Sequence, residues 1–173
     1  MPLKHLSPSP EYPPHLDAAT GLFEDLLNGG SRLRVRVTGQ SMWPLVRDGD
    51  VVTIKKALPS SLRVGNLIFF VNAEGSPVLH RLIRKRCRVD GRMMFQTKGD
   101  ALLSKDEPVL ENRVLGKVCR IEQKNALGHV KSVDLESGFW SAANEVIARI
   151  SLVVSAIRCL MPSLNRKFLE KQA

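Results

Sequence analysis

Four residues of this chain could together carry acyl-transfer chemistry. Ser41 lies in the turn G-Q-S-M-W-P, His80 in V-L-H-R-L-I, and Asp100 and Asp106 in Q-T-K-G-D-A-L-L-S-K-D. A serine hydroxyl is a weak nucleophile until a neighbouring base removes its proton. An imidazole serving as that base needs an acceptor on its other nitrogen, and a carboxylate supplies one while stabilising the imidazolium. Of the four histidines, His5 and His15 fall in a proline-rich leader and His129 in the connector K-N-A-L-G-H-V-K-S. His80 alone sits in an apolar, strand-like run, where packing has no use for a titratable ring. Each residue also has a plainer role: the serine in turn chemistry, the histidine as a core side chain, the aspartates as turn or capping groups. The chain order Ser, His, Asp is no obstacle, because such constellations are defined by geometry. The sequence leaves open which aspartate would serve His80. Asp100, next to Gly99 in a turn-like context, has the stronger claim to a structural role.

Elements able to position these groups can be read from hydrophobic period. Asp17 is placed to cap a short helix with Leu22, Phe23, Leu26 and Leu27 at helical spacing, ended by Gly29 and Gly30. From Arg32 the period changes to two in R-L-R-V-R-V-T-G, and further β-rich runs follow in D-V-V-T-I-K-K-A and N-L-I-F-F-V-N-A. V-L-H-R-L-I-R-K-R-C-R-V and R-M-M-F-Q-T-K-G flank Asp90-Gly91, a dipeptide that favours tight hairpins. V-L-G-K-V-C-R-I-E-Q is the last strand expected. Beyond Gly138, Val146, Ile150, Val153, Ile157 and Leu160 recur on one helical face, and Pro162 ends the helix. The expected fold is mainly β, with a short N-terminal helix and a C-terminal amphipathic helix. Its parts are a leader and helix (1–31), a β core (32–123), and a linker with the last helix (124–173). The apolar stripe of that helix is expected to pack on the core, with a partner helix or a membrane surface as the alternatives.

Composition narrows the function classes. The net charge of +9 favours acidic partners, yet most of the arginines and lysines read as solvated faces of strands, including the run Arg81, Arg84, Lys85, Arg86, Arg88 and Arg92. Aromatic residues make up only 5%, too few for base-stacking platforms, so no nucleic-acid partner is expected. The widely spaced Cys87, Cys119 and Cys159 form neither a zinc pattern nor a disulfide framework, which fits a reducing compartment; no metal or other cofactor is expected. No run of 18 apolar residues occurs. A cytoplasmic location is expected, with peripheral contact at the inner membrane surface through the last helix as its variant.

Three stretches carry a family resemblance. T-G-Q-S-M-W-P-L-V-R-D-G-D-V-V resembles the first box of the signal peptidase I superfamily, which also contains LexA-type self-cleaving repressors. V-L-H-R-L-I resembles its second box, with histidine where bacterial signal peptidases and the repressors carry lysine. F-Q-T-K-G-D-A-L-L-S-K-D is similar to the third box of the histidine-using archaeal and endoplasmic-reticulum branch. The resemblance runs from about Arg32 to Glu122. It implies Ser41 as nucleophile, His80 as general base, Asp106 or Asp100 as orienting carboxylate, and the Ser41 backbone N–H as oxyanion donor. It further implies that Gly39, Met42 and Pro44 shape the substrate-binding turn. The chain departs from the pattern at Gly39, where many members carry a serine, and at Ala101, where asparagine is frequent. It also lacks the apolar N-terminal anchor of signal peptidases. The implied function is a serine endopeptidase that cuts a leader or precursor peptide, or a partner protein. Two alternatives belong to other classes: a LexA-like regulator associated with nucleic acid, and a catalytically weak peptide-binding scaffold. Against the first, the region before Arg32 holds one short helix, too little for a helix-turn-helix unit.

Overall fold

Alternating charged and aliphatic residues make Leu33–Arg36 a strand (β1) with Leu33 and Val35 turned inward and its arginines outward. This is seen in a computed structural model that describes residues 18–125 and 128–160. Seven more strands follow: β2 Val51–Lys55, β3 Leu67–Val71, β4 Pro77–Cys87, β5 Met93–Lys98, β6 Val109–Leu110, β7 Val114–Lys124 and β8 Val130–Asp134. Two helices flank them, α1 Ala18–Asn28 and α2 Gly138–Leu160. The protein is thus mainly β, with one short helix before the sheet and one after it. Asp17, expected to cap α1, lies outside the described residues, as do His5 and His15.

The strands form one antiparallel sheet in the order β1-β2-β7-β3-β4-β5-β6. One edge of β7 pairs with β2; along the other, its first half pairs with β3 and its second half with β8. Curling gives the sheet two apolar layers. Val52, Ile54, Leu67, Phe69 and Ile121 pack with Leu27 of α1 and with Met42 and Val46. Ile68, Phe70, Leu82, Phe95 and Val109 form the second cluster. Gly116 is required where β7 crosses β2, since a Cβ there would lie 2.4 Å from the Lys55 carbonyl oxygen. The β4–β5 hairpin turns at Asp90-Gly91, where Gly91 adopts φ +80°.

Three expectations need correction. The sheet does not end at Gln123: β8 lies in the segment read as a linker, its strand V-K-S-V-D too polar to show a clear period. Arg81, counted among the solvated charges, is fully buried. The apolar stripe of α2 does not pack on the core, because Val146, Ile150 and Val153 are more than half exposed; the side chains of Ile157 and Leu160 lie outside the description. Asn144, Ala148 and Ser151 face inward instead. Two buried cations beneath the helix, Arg81 and Lys98, demand oxygen acceptors, and Asn144 and Ser151 provide them. No described helix is long and apolar enough to cross a membrane.

Candidate active site

The turn that carries Ser41 is held by its own sequence. Gly39 takes φ +88°, and its N–H donates to Asp48 Oδ1 at 2.8 Å. Met42, one residue past Ser41, is buried in the first core cluster, and its carbonyl accepts from the Val46 N–H at 3.1 Å. The Trp43–Pro44 peptide is cis. The Ser41 side chain is thereby left at the surface of the sheet, while the next residue is anchored inside it.

His80 stands in register with Ile68 on β3, on the strand face that also carries Leu82 and, across the hairpin, Thr97. It is 7% exposed and tilts against the Phe70 ring. Its Nε2 lies 3.1 Å from Ser41 Oγ and its Nδ1 lies 2.7 Å from Asp106 Oδ2. A carboxylate only accepts, so the Nδ1–H donates to Asp106 and Nε2 is left to accept from the serine hydroxyl. Thr97 Oγ1 donates to the same Asp106 oxygen at 2.6 Å. Asp106 is fixed through its backbone as well: its N–H donates to the Thr97 carbonyl at 3.0 Å, and the Asp106 carbonyl accepts from Gln96 Nε2.

Asp100, the other carboxylate left open by the sequence, does not face His80. Its two oxygens receive Nε and Nη2 of Arg81, both at 2.7 Å, in a buried bidentate pair. Three expected positions thus meet in one line, Ser41, His80 and Asp106, with Gly39 in the turn that carries the serine, and Asp100 serves a separate network. Thr97, Lys98 and Arg81 were missed. A threonine in a strand carries no signal of its own, and a lysine and an arginine within basic runs look like solvent-facing charges.

Burial pushes the Asp106 carboxyl up, but the hydrogen bonds from His80 and Thr97 and the nearby charges of His80 and Lys98 outweigh it and hold the group below its ordinary value. A carboxyl lowered in the folded state adds stability that is complete above its unfolded pKa and is lost as the pH falls through the folded one. The stability difference between the protein and Asp106→Asn should therefore shrink as the pH drops below 3.8, measured by urea unfolding. A difference that widens there would contradict it.

One cavity borders the line, and a second lies by the serine turn among Lys98, Asp100 and α2. The first, about 560 Å³, opens beside His80 and Asp106, floored by Phe70, Val78 and Val109. The other, about 410 Å³ and mostly apolar, lies between Pro44 and Leu45 of the serine turn, Leu102 and Leu103, and Trp140 and Ile147 of α2. Met42 faces the core rather than either cavity, and Pro44 lines the second.

A mainly β fold with a serine, a histidine and a carboxylate in hydrogen-bonded series is an arrangement suited to nucleophilic hydrolysis. Residues 10–93 match the family described as Peptidase S24-like, a span that includes Ser41 and His80 and stops short of Asp106. This match points to the superfamily of LexA and the signal peptidases and to serine-peptidase chemistry.

Proposed function

We propose that this chain is a serine endopeptidase that uses Ser41, His80 and Asp106, of the histidine-using type. The observation that carries the proposal is the unbroken series from Ser41 Oγ through both ring nitrogens of His80 to Asp106. As Ser41 Oγ attacks the scissile carbonyl carbon, its proton passes to His80 Nε2, and Asp106 stabilises the imidazolium. The developing oxyanion is taken by the Ser41 N–H, which makes no hydrogen bond within the described residues. Collapse of the tetrahedral intermediate breaks the C–N bond, and the imidazolium protonates the leaving amine. Water then attacks the acyl carbon while giving a proton to His80, and the imidazolium returns that proton to Ser41 Oγ as the acyl C–O bond breaks.

The substrate is a peptide or protein segment bound in extended form along the sheet, with side chains entering the cavity beside His80 and Asp106. A leader or precursor peptide, or a loop of a partner protein, meets that description. The protein acts in the cytoplasm.

A fluorophosphonate probe tests the proposal, since it reacts with an activated serine, whose Oγ bonds to phosphorus as fluoride leaves. The full chain should become labelled and Ser41→Ala should not, with both giving the same circular dichroism spectrum. Absence of labelling in the unaltered chain, or undiminished labelling of Ser41→Ala, would refute it.

A further inference from the structure

The strands that carry the site are gripped from behind. His80 and Thr97 point to one face of the β4–β5 hairpin; their neighbours Arg81 and Lys98, paired in register, point to the other. There α2 meets them. Arg81 Nη1 donates to Asn144 Oδ1 at 2.8 Å, and Lys98 Nζ donates to Ser151 Oγ at 2.7 Å. All four residues are buried. Arg81 Nη1 also donates to the Gly65 carbonyl at 2.9 Å, and a Cβ at Gly65 would lie 2.6 Å from the Asn144 backbone, so helix and sheet are in direct contact.

From Arg81 the network runs to the nucleophile. Its remaining N–H groups hold Asp100, whose neighbours on either side touch Ser41. The Ala101 N–H donates to the Ser41 carbonyl at 2.9 Å, and Gly99 packs so closely beneath it that a Cβ would stand 2.7 Å from that oxygen. Lys98 Nζ bonds the Gly99 carbonyl at 3.1 Å, tying the same turn to Ser151. The orientation of α2 is itself telling. A helix seated by apolar contact would bury Val146, Ile150 and Val153; this one exposes them to bring Asn144 and Ser151 to the two cations.

We propose that Asn144 and Ser151 are positioning residues: α2 is a clamp that fixes Arg81, Lys98 and the 99–101 turn, and through that turn the backbone of Ser41. The proposal rests on the assignment of Ser41 as nucleophile for its effect on rate, and on the structure alone for its effect on the turn. Neither residue touches the reacting atoms, and their part is to hold the turn that contacts the Ser41 carbonyl.

The full chain, Asn144→Ala, Asn144→Asp and Ser151→Ala are compared by the rate of fluorophosphonate labelling and by amide hydrogen exchange across residues 98–103. Asn144→Ala should be labelled about tenfold more slowly or worse, the scale on which small misplacements of reacting groups act. Its 98–103 segment should exchange faster. Asn144→Asp keeps an oxygen acceptor for Arg81 and should restore both, a rescue that loss of packing alone would not predict. If Asn144→Ala does not fold, Ser151→Ala carries the same test through Lys98. A folded variant with unchanged rate and unchanged exchange overturns the clamp. If the unaltered chain is not labelled at all, the peptidase assignment fails, and exchange across 98–103 still decides whether α2 holds the turn.

Discussion

Replacing His80 with alanine is expected to slow acylation of Ser41 by about 10⁶-fold, the scale seen when a base that works as a unit with its nucleophile is removed. Asp106→Asn should cost about 10⁴-fold, because an amide in place of the carboxylate favours the wrong imidazole tautomer and cannot stabilise the imidazolium. The geometry makes the second change specific. Asp106 Oδ2 accepts from both His80 Nδ1 and Thr97 Oγ1, so an amide nitrogen turned toward them would present a donor to two donors. Asp100→Asn, by contrast, leaves His80 with its partner and should show no such tautomer-linked loss. Its carboxylate faces Arg81. Acylation rates of the three variants across pH distinguish these roles; equal losses for Asp100→Asn and Asp106→Asn, with the same pH profile, would contradict the assignment.

Arg81→Met is expected to destabilise the protein by about 3–5 kcal/mol, the usual cost of removing one partner of a buried ion pair. The pair is well enclosed, the Arg81 side chain being 0% exposed and that of Asp100 5%. Loss of the guanidinium would strand the Asp100 carboxylate, the Asn144 amide oxygen and the Gly65 carbonyl together. The double change Arg81→Met with Asp100→Leu should recover part of the loss, since it leaves no unpaired charge. Arg34→Ala offers the comparison. Its ion pair with Glu122 lies at the surface and should contribute at most about 1 kcal/mol. Chemical denaturation measures all three, and an Arg81→Met loss no larger than that of Arg34→Ala would show that burial had been misjudged.

How far the sequence reaches follows from these same residues. A period of two places β1, and β-rich runs bounded by turns place β2 to β5 and β7, among them β3, which is buried on both faces. The turn at Ser41 and the strand at His80 were legible because a hydroxyl beside glycine and proline, and an imidazole among aliphatics, are out of place in a plain core. The choice between Asp100 and Asp106 was not legible. It depends on which face of the hairpin each carboxylate reaches after the turn at Gly99, a matter of register. The set of α2 was misread for a related reason. Hydrophobic period assumes that apolar area decides orientation, whereas here two buried cations on β4 and β5 decide it, and nothing local to α2 announces them.

The order of the strands has a consequence for how the protein is made. The serine turn belongs with β1 and β2, the histidine with the β3–β6 meander, and β7 joins these two half-sheets edge to edge. A nascent chain that has emerged only as far as Arg113 therefore owns both reactive groups and the 99–101 contact with the serine turn, but lacks the strand that joins their half-sheets. Activity is thus expected only once residues 114–124 have left the ribosome.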